Sequence, residues 1–449
     1  MSPQTGVSVQ DYLQRQEAVE SSARTYPRRL PVAISRASGM YVTDVEGKRY
    51  LDCLACAGTL ALGHNHPAVV EALGRHLSEG LPMQTLDLPT PVRHAFVEEL
   101  LKSLPRSFSS RAKVQFCGPT GSDAVEAALK LVKTATGRRS ILAFHGAYHG
   151  QTHGALSLMG NLGPKAHIGG LMAEVQFLPY PNRYRCPYGC AQCMEKCLSA
   201  AHIEALLEDV ESGVSRPAAM ILEVVQGEGG CIPAPDEWLR QIRRITREKE
   251  IPLILDEVQT GWGRTGAMYA FEHAGIEPDV LVLSKAIGGG LPLAVIIYDE
   301  ALDRWQPGAH AGTFRGNQMA MSAGLATLRY LQDQGVPANA VTMGLHLQQR
   351  LRALQESFPE IGDVRGRGLM VGAEIVAPKT RDSFGRPCAD GQKARQMQRA
   401  CFDRGLIIEV GGRHGSVLRF LPPLIVTPVE IDAIAGIIGE SCAALRADV

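Results

Sequence analysis

The sequence predicts an α/β fold built on a mostly parallel sheet, and three observations carry that reading. From Lys113 onward, short apolar runs of strand length alternate with amphipathic helical stretches, the pattern of strands buried on both faces and covered by helices. Two of these runs, Ile251-Pro-Leu-Ile-Leu-Asp256 and Asp279-Val-Leu-Val-Leu-Ser284-Lys285, each end in a charged residue, as buried parallel strands do when they deliver chemistry at their carboxyl ends. The 449 residues, 45% hydrophobic and 20% charged, are enough to bury a large core.

In chain order, Ser8 with Asp11 three residues later resembles a capping box and opens a polar helix running toward Ala23. Gly39 to Asp52 alternates around Asp44-Val-Glu-Gly47, as a β-hairpin does. Pro67 fits the first turn of a helix ending near Gly80. His64 and His66 flank that helix start, and no acidic or third histidine partner stands at metal-ligand spacing. Strands are expected at Lys113–Cys117, Ser140–Phe144, Ala218–Val225, Pro252–Val258, Val280–Ser284 and Leu293–Tyr298, with helices at Ser122–Thr136, His202–Val210 and Glu237–Lys249. After Asn317 the texture changes. Long helical stretches at Gln318–Gln334 and Ala340–Ser357 precede a mixed segment of Val364–Val376, Gly391–Arg404, Leu406–Val410 and Val417–Leu421, and a last helix, Val429–Arg446.

Bulk properties narrow the partners. The formal net charge is zero with no long single-sign run, so neither a nucleic-acid groove nor a charged membrane surface is indicated as partner. No apolar run approaches the roughly 18 residues a spanning helix needs, and the N-terminus lacks a charged region followed by an apolar signal core. The expectation is a cytoplasmic protein acting on small molecules. Eleven cysteines in a chain of this length do not form a disulfide framework, so most are expected as free buried thiols.

The chemistry gathers at strand ends. Asp256 and Lys285 end two runs expected to be neighbours and so face one crevice. A lysine desolvated there, beside a carboxylate, is suited to Schiff-base chemistry with a carbonyl cofactor such as pyridoxal phosphate, whose pyridine nitrogen needs an acid partner. A strand-end lysine in a solvated loop has the same local pattern, and the neighbours decide between the two. Phe116-Cys-Gly-Pro-Thr-Gly121-Ser122-Asp123 is a glycine-rich turn from strand into helix, either a ready phosphate site or a plain N-cap. Phe144-His-Gly-Ala-Tyr148-His149-Gly150 closes the next strand with an aromatic able to lie on a cofactor ring.

Taken together, the Leu-Ser-Lys285-Ala-Ile-Gly-Gly-Gly, Leu-Asp256-Glu-Val-Gln-Thr-Gly, Thr-Gly-Ser-Asp-Ala-Val-Glu-Ala-Ala, Tyr-His-Gly and Gly63-His-Asn-His-Pro67 segments resemble the class III (ornithine/GABA-type) aminotransferases, from about Tyr26 to Leu445. The resemblance implies a fold-type I pyridoxal phosphate enzyme: a large domain at 66–320 and a small α+β domain formed by both chain ends, 1–65 and 321–449. It implies a homodimer with shared active sites. By the same resemblance Lys285 is the Schiff-base lysine and proton shuttle, Asp256 pairs with the pyridinium nitrogen, and Gln259 reaches the ring hydroxyl. Val258 packs beneath the ring, Tyr148 stacks above it with His149 beside it, and Gly121 and Ser122 hold the phosphate together with Thr313 of the other subunit.

Two further matches concern substrates, an amino donor and a 2-oxo acid acceptor. Val417-Leu-Arg419-Phe-Leu-Pro-Pro resembles the family segment whose arginine takes an α-carboxylate, and Glu223-Val-Val-Gln-Gly-Glu228 resembles the one whose second glutamate gates that arginine. Val224 replaces the usual proline. Within the family the Leu51–Gly63 and Phe116–Gly121 segments most resemble the diaminobutyrate branch, which implies transfer of a terminal amino group to 2-oxoglutarate. A racemase or a semialdehyde aminomutase would keep Lys285 and Asp256, and a non-catalytic sensor of the same fold is the rival of another class. The departure from the family is Cys186, Cys190, Cys193 and Cys197, four thiols spaced to make a tetrahedral metal site conceivable, although the usual paired CxxC hooks are absent; no metal is expected.

Overall fold

A computed structural model describes residues 6–189 and 198–447. Its centre is a seven-stranded sheet in the order Ala112–Phe116, Val295–Asp299, Val280–Leu283, Leu253–Asp256, Ala219–Leu222, Ile141–Phe144 and Val175–Leu178. The last five pair in parallel, and Val295–Asp299 runs antiparallel to both its neighbours. Ala219–Leu222, Leu253–Asp256 and Val280–Leu283 are buried at every position, which is why they read as continuous apolar runs rather than as alternating ones. Successive residues feed opposite layers. Leu253, Leu255, Leu281 and Leu283 join Trp238, Leu239, Ile242 and Ile245 of the helix Asp236–Glu248 in one core. Ile254, Val280 and Val282 join Ala124, Val125, Ala128, Leu131 and Val132 of the helix Gly121–Thr136 in another.

The chain ends meet in a second region. The N-terminal strands Ile34–Ser38, Tyr41–Asp44 and Arg49–Asp52 form an antiparallel meander, and Leu406–Ile407 adds to it in parallel, Leu51 opposite Leu406. Ile361–Arg367, Met370–Arg381, Val417–Phe420 and Glu409–Gly411 make a further antiparallel sheet. The helices Val336–Ser357, Gly391–Asp403 and Pro428–Ala447 pack together beside it.

Most of the expected elements are present within one to four residues of their bounds. The strand expected at Ala218–Val225 stops at Leu222, because the Glu223 carboxylate accepts the Tyr148 and Gly227 N–H groups and draws the chain out of the ladder; Val225–Gln226 then pairs with Ile232–Pro233. The edge strand Val175–Leu178 and the helix Pro91–Lys102 were not expected. The first is short and half exposed, and the second carries the start signal of a Thr90 cap with Pro91 at its first position. Cys53, Cys117, Cys231, Cys401 and Cys442 are buried free thiols, and Cys186 is disulfide-bonded. Cys190, Cys193 and Cys197 lie outside the described residues, and with them the possible four-thiol site. Among the described residues no helix is long and apolar enough to cross a membrane.

Candidate active site

Parallel strands place their carboxyl ends in one crevice, and Asp256 and the chain after Leu283 arrive there from adjacent strands. Asp256 is 5% exposed. Its Oδ2 accepts the His149 Nδ1–H at 2.7 Å and its Oδ1 accepts the Val258 N–H at 3.1 Å. Lys285 follows Ser284 in a left-handed conformation, φ 51°, uncommon for a residue with a side chain and a form of strain that gathers at functional sites. The turn after it is fixed by packing: a Cβ on Gly289 would meet the Ala323 carbonyl oxygen at 2.6 Å. Burial pushes the Lys285 amine down from its ordinary 10.5, while Glu228 and Asp256 pull it back and Arg419 adds to the depression. These groups therefore share one field.

The glycine-rich turn meets the same crevice. Thr120 caps the helix Gly121–Thr136, its hydroxyl accepting the Asp123 N–H, and Asp123 in turn accepts the Gly118 N–H and a His310 ring N–H. A Cβ on Gly121 would lie 3.0 Å from both Val258 methyls, so this turn sits directly against Val258. Gly150 has φ +125°, and a side chain there would run into Ser122, whose hydroxyl accepts the Gln151 N–H. Tyr148 is half-buried; burial raises its hydroxyl, with Glu228, Glu223 and Asp256 adding to the rise. Gln259 donates to the Ala57 carbonyl at 3.1 Å, in a turn where Ala55, Cys56 and Ala57 are all left-handed. Thr313 is exposed at the start of a short turn whose Gly312 neighbours Gly118.

Across the crevice, Arg419 is 1% exposed, and its Nη2 donates to Glu228 Oε1 at 2.7 Å. Its Nε and Nη1 are buried without a partner among the described residues. His64 and His66 do not converge on a common point: His64 pairs with Asp52 at 2.8 Å, and the His66 ring caps the Pro67–Ser78 helix through the Ala68 N–H.

The aminotransferase class-III family model matches residues 22–441. The chain belongs to the class III aminotransferases. It is 57% identical to a diaminobutyrate–2-oxoglutarate aminotransferase of Rhizobium meliloti, over 95% of this chain and 91% of that relative. It is 51% identical to one of Haemophilus influenzae, over 92% and 91%. Among solved structures, an amine transaminase from an uncultivated Pseudomonas species in its pyridoxal-phosphate-bound form superposes with a TM-score of 0.84 at 29% identity, covering 95% of this chain and 98% of that one. The ornithine aminotransferase of Toxoplasma gondii gives 0.81 at 25%, covering 98% and 96%.

Class III aminotransferases use pyridoxal phosphate, and the crevice of this aminotransferase fits it. Its lysine is biased toward the free amine. Its Asp256 is buried and held from two sides. The buried Gln259 Oε1 and His149 Nε2 have no partner among the described residues. A capped helix start supplies N–H groups and a positive dipole end.

Sequence reasoning missed three features of the site. It did not see that His149 grips Asp256. It did not see Glu223 as a buried acid pushed up to about 7, chiefly by burial, with Asp256 adding to the rise and His149 opposing it. It also missed Tyr26, Arg29 and Glu409, which lie beside Arg419. His149 and Glu223 stand inside motifs quoted above, but no local pattern shows the contacts they make, and none marks Tyr26, Arg29 or Glu409.

Proposed function

We propose that this aminotransferase transfers the terminal amino group of a small diamino acid, 2,4-diaminobutyrate first among them, to 2-oxoglutarate, giving an amino-acid semialdehyde and glutamate. The observation that carries the reading is the Arg419–Glu228 ion pair. With the arginine covered by Glu228, the crevice accepts a reacting carbon that bears no carboxylate; with Glu228 withdrawn, the same arginine offers an N–H fork to the carboxylate of 2-oxoglutarate or glutamate. The relatives named above act on this pair of substrates by name.

When bound, pyridoxal phosphate supplies the electron sink for the carbon that carries the amine. Asp256, steadied by His149 and the Val258 N–H, is placed to keep the pyridine nitrogen protonated. Lys285 tethers the cofactor and moves the proton at the amine-bearing carbon, work suited to an amine whose burial favours the uncharged form. Val258, Tyr148 and Gln259 would hold the cofactor's ring, and Gly121 and Ser122 would hold its phosphate together with Thr313 of a partner subunit. The enzyme acts as a cytoplasmic homodimer, with a large domain at 66–320 and a small one from both chain ends. The parallel pairing of Leu406–Ile407 with Arg49–Asp52 supports that division.

A screen of amino donors against 2-oxoglutarate, read by glutamate formed, tests the proposal. Stoichiometric glutamate with 2,4-diaminobutyrate is expected. Donor consumed without glutamate would point instead to a racemase or an aminomutase.

A further inference from the structure

Donor and acceptor of the proposed reaction share a skeleton. Counted from the reacting carbon, 2,4-diaminobutyrate and glutamate both run through two carbons to a distal carboxylate. They differ at two places. Glutamate has a carboxylate on the reacting carbon where the diamino acid has hydrogen, and the diamino acid has an ammonium two carbons further on where glutamate has hydrogens. The Arg419–Glu228 pair answers the first difference. An enzyme that selects this donor needs an anion for the second.

Glu409 is a second carboxylate in the same neighbourhood. It stands directly opposite Arg419 on the paired strands Glu409–Gly411 and Val417–Phe420, and directly opposed residues project to the same face. It is 3% exposed, and it accepts the Tyr26 hydroxyl, Arg29 Nη1 at 3.4 Å from a half-exposed guanidinium, and its neighbour's Val410 N–H at 3.2 Å. An ionised carboxylate has about four acceptor positions, so these three donors leave room for one more. The gate does not require Glu409, because Glu228 already neutralises Arg419, and a further negative charge there weakens the arginine toward 2-oxoglutarate. Tyr26 ties the groups together. Burial and the Glu409 carboxylate raise its hydroxyl well above its ordinary value, and it feels both Glu228 and Arg419.

We infer that Glu409 binds the α-ammonium group of the diamino acid donor, while Arg29 beside it takes the distal carboxylate that donor and acceptor share. The inference rests on the proposed reaction and makes Glu409 a specificity residue. Two pairs of donors differ only in the α-ammonium: 2,4-diaminobutyrate against 4-aminobutyrate, and ornithine against 5-aminovalerate. The holoenzyme and its Glu409→Gln variant are compared by kcat/KM on all four, with 2-oxoglutarate as acceptor.

The expected result is a wild-type preference for the α-ammonium member that falls by roughly 10- to 100-fold in Glu409→Gln, the loss of one charge-assisted contact, with the change carried mainly in KM. A merely structural Glu409 would depress both members of a pair alike, and an unchanged preference overturns the inference. A preference confined to the ornithine pair overturns the choice of donor but upholds the α-ammonium site. No preference in either pair overturns the site. The wild-type ratio of 1,3-diaminopropane to propylamine reads the same anion without any substitution, so the test survives a variant that fails to fold. A ratio near one on the wild type overturns the inference as well.

Discussion

Replacing Arg419 with alanine separates the two half-reactions. The guanidinium is 1% exposed, and among the described residues it pairs with Glu228 at 2.7 Å while its Nε and Nη1 have no partner. A substrate carboxylate that displaces Glu228 gains charge-assisted hydrogen bonds worth roughly 1.5–3 kcal/mol each. Losing a two-pronged contact therefore costs the 2-oxoglutarate half-reaction roughly 3–5 kcal/mol, or between about two and four powers of ten in rate. The diamino acid half-reaction loses less. There the arginine is only Glu228's counter-ion, and the Glu228 side chain is 39% exposed, so it rehydrates at a cost of about 1 kcal/mol or below. Each half is measured in a single turnover: donor alone on the cofactor-loaded enzyme, then 2-oxoglutarate alone on the aminated form, followed by the cofactor absorbance. Glu228→Ala should shift the balance the other way, since an uncovered arginine favours glutamate over terminal amines. Equal losses in both halves for Arg419→Ala would make the arginine structural and remove the support for a terminal-amine donor.

Three further outcomes follow from the same geometry. Lys285→Ala should retain the fold but lose the covalent link to cofactor, checked by the cofactor retained after borohydride reduction and denaturation; retention at the wild-type level refutes the assignment. Asp256→Asn should bind cofactor yet lose most turnover, because a neutral amide does not hold the pyridinium proton; near-normal kcat counts against the role. Stability should also decline with pH in an acidic window. Burial raises Glu223 and Glu257 from an ordinary 4.5 to about 7, so the folded protein binds more protons than the unfolded chain between those values. Their contribution is fully present below about 4.5 and is lost as pH rises through about 7. Thermal unfolding of wild type and Glu223→Gln across that range checks it, and a variant with the wild-type slope would show that Glu223 is ionised in the folded state.

How much of this was legible in the sequence depends on how local the cause is. The central strands were readable because burial on both faces leaves four or more apolar residues in a row, as in Val280–Leu283, and the residue that ends such a run is where the sheet delivers chemistry. Lys285 and Asp256 stood out for that reason. The helix at Gly121 was readable because its cap, Thr120, lies beside it in sequence. The break after Leu222 was not, since it depends on the Glu223 carboxylate reaching Tyr148, 75 residues away. The partner of His149 was hidden in the same way. Only the folded sheet brings the His149 ring to Asp256, 107 residues on.

Glu409 shows the limit most sharply. It is ten residues from Arg419, a spacing that means nothing until the turn between them is known. That turn is built from left-handed backbone at Gly412, His414 and Gly415, with φ of 74°, 64° and 60°, and it sets Glu409 opposite Arg419. A register slipped by one residue would send Glu409 to the other face of the sheet, away from the crevice. The space beside Arg419 is fixed in the same stroke, since a Cβ on Gly411 would press on the Arg419 Nε at 2.7 Å. Glycine at 411 thus keeps the guanidinium free to trade Glu228 for a substrate carboxylate. It also leaves Glu409 as the anionic neighbour that a donor ammonium would meet. A substitution at Gly411 should therefore disturb the use of both substrates, whereas one at Glu409 should disturb only the donor that carries the extra ammonium.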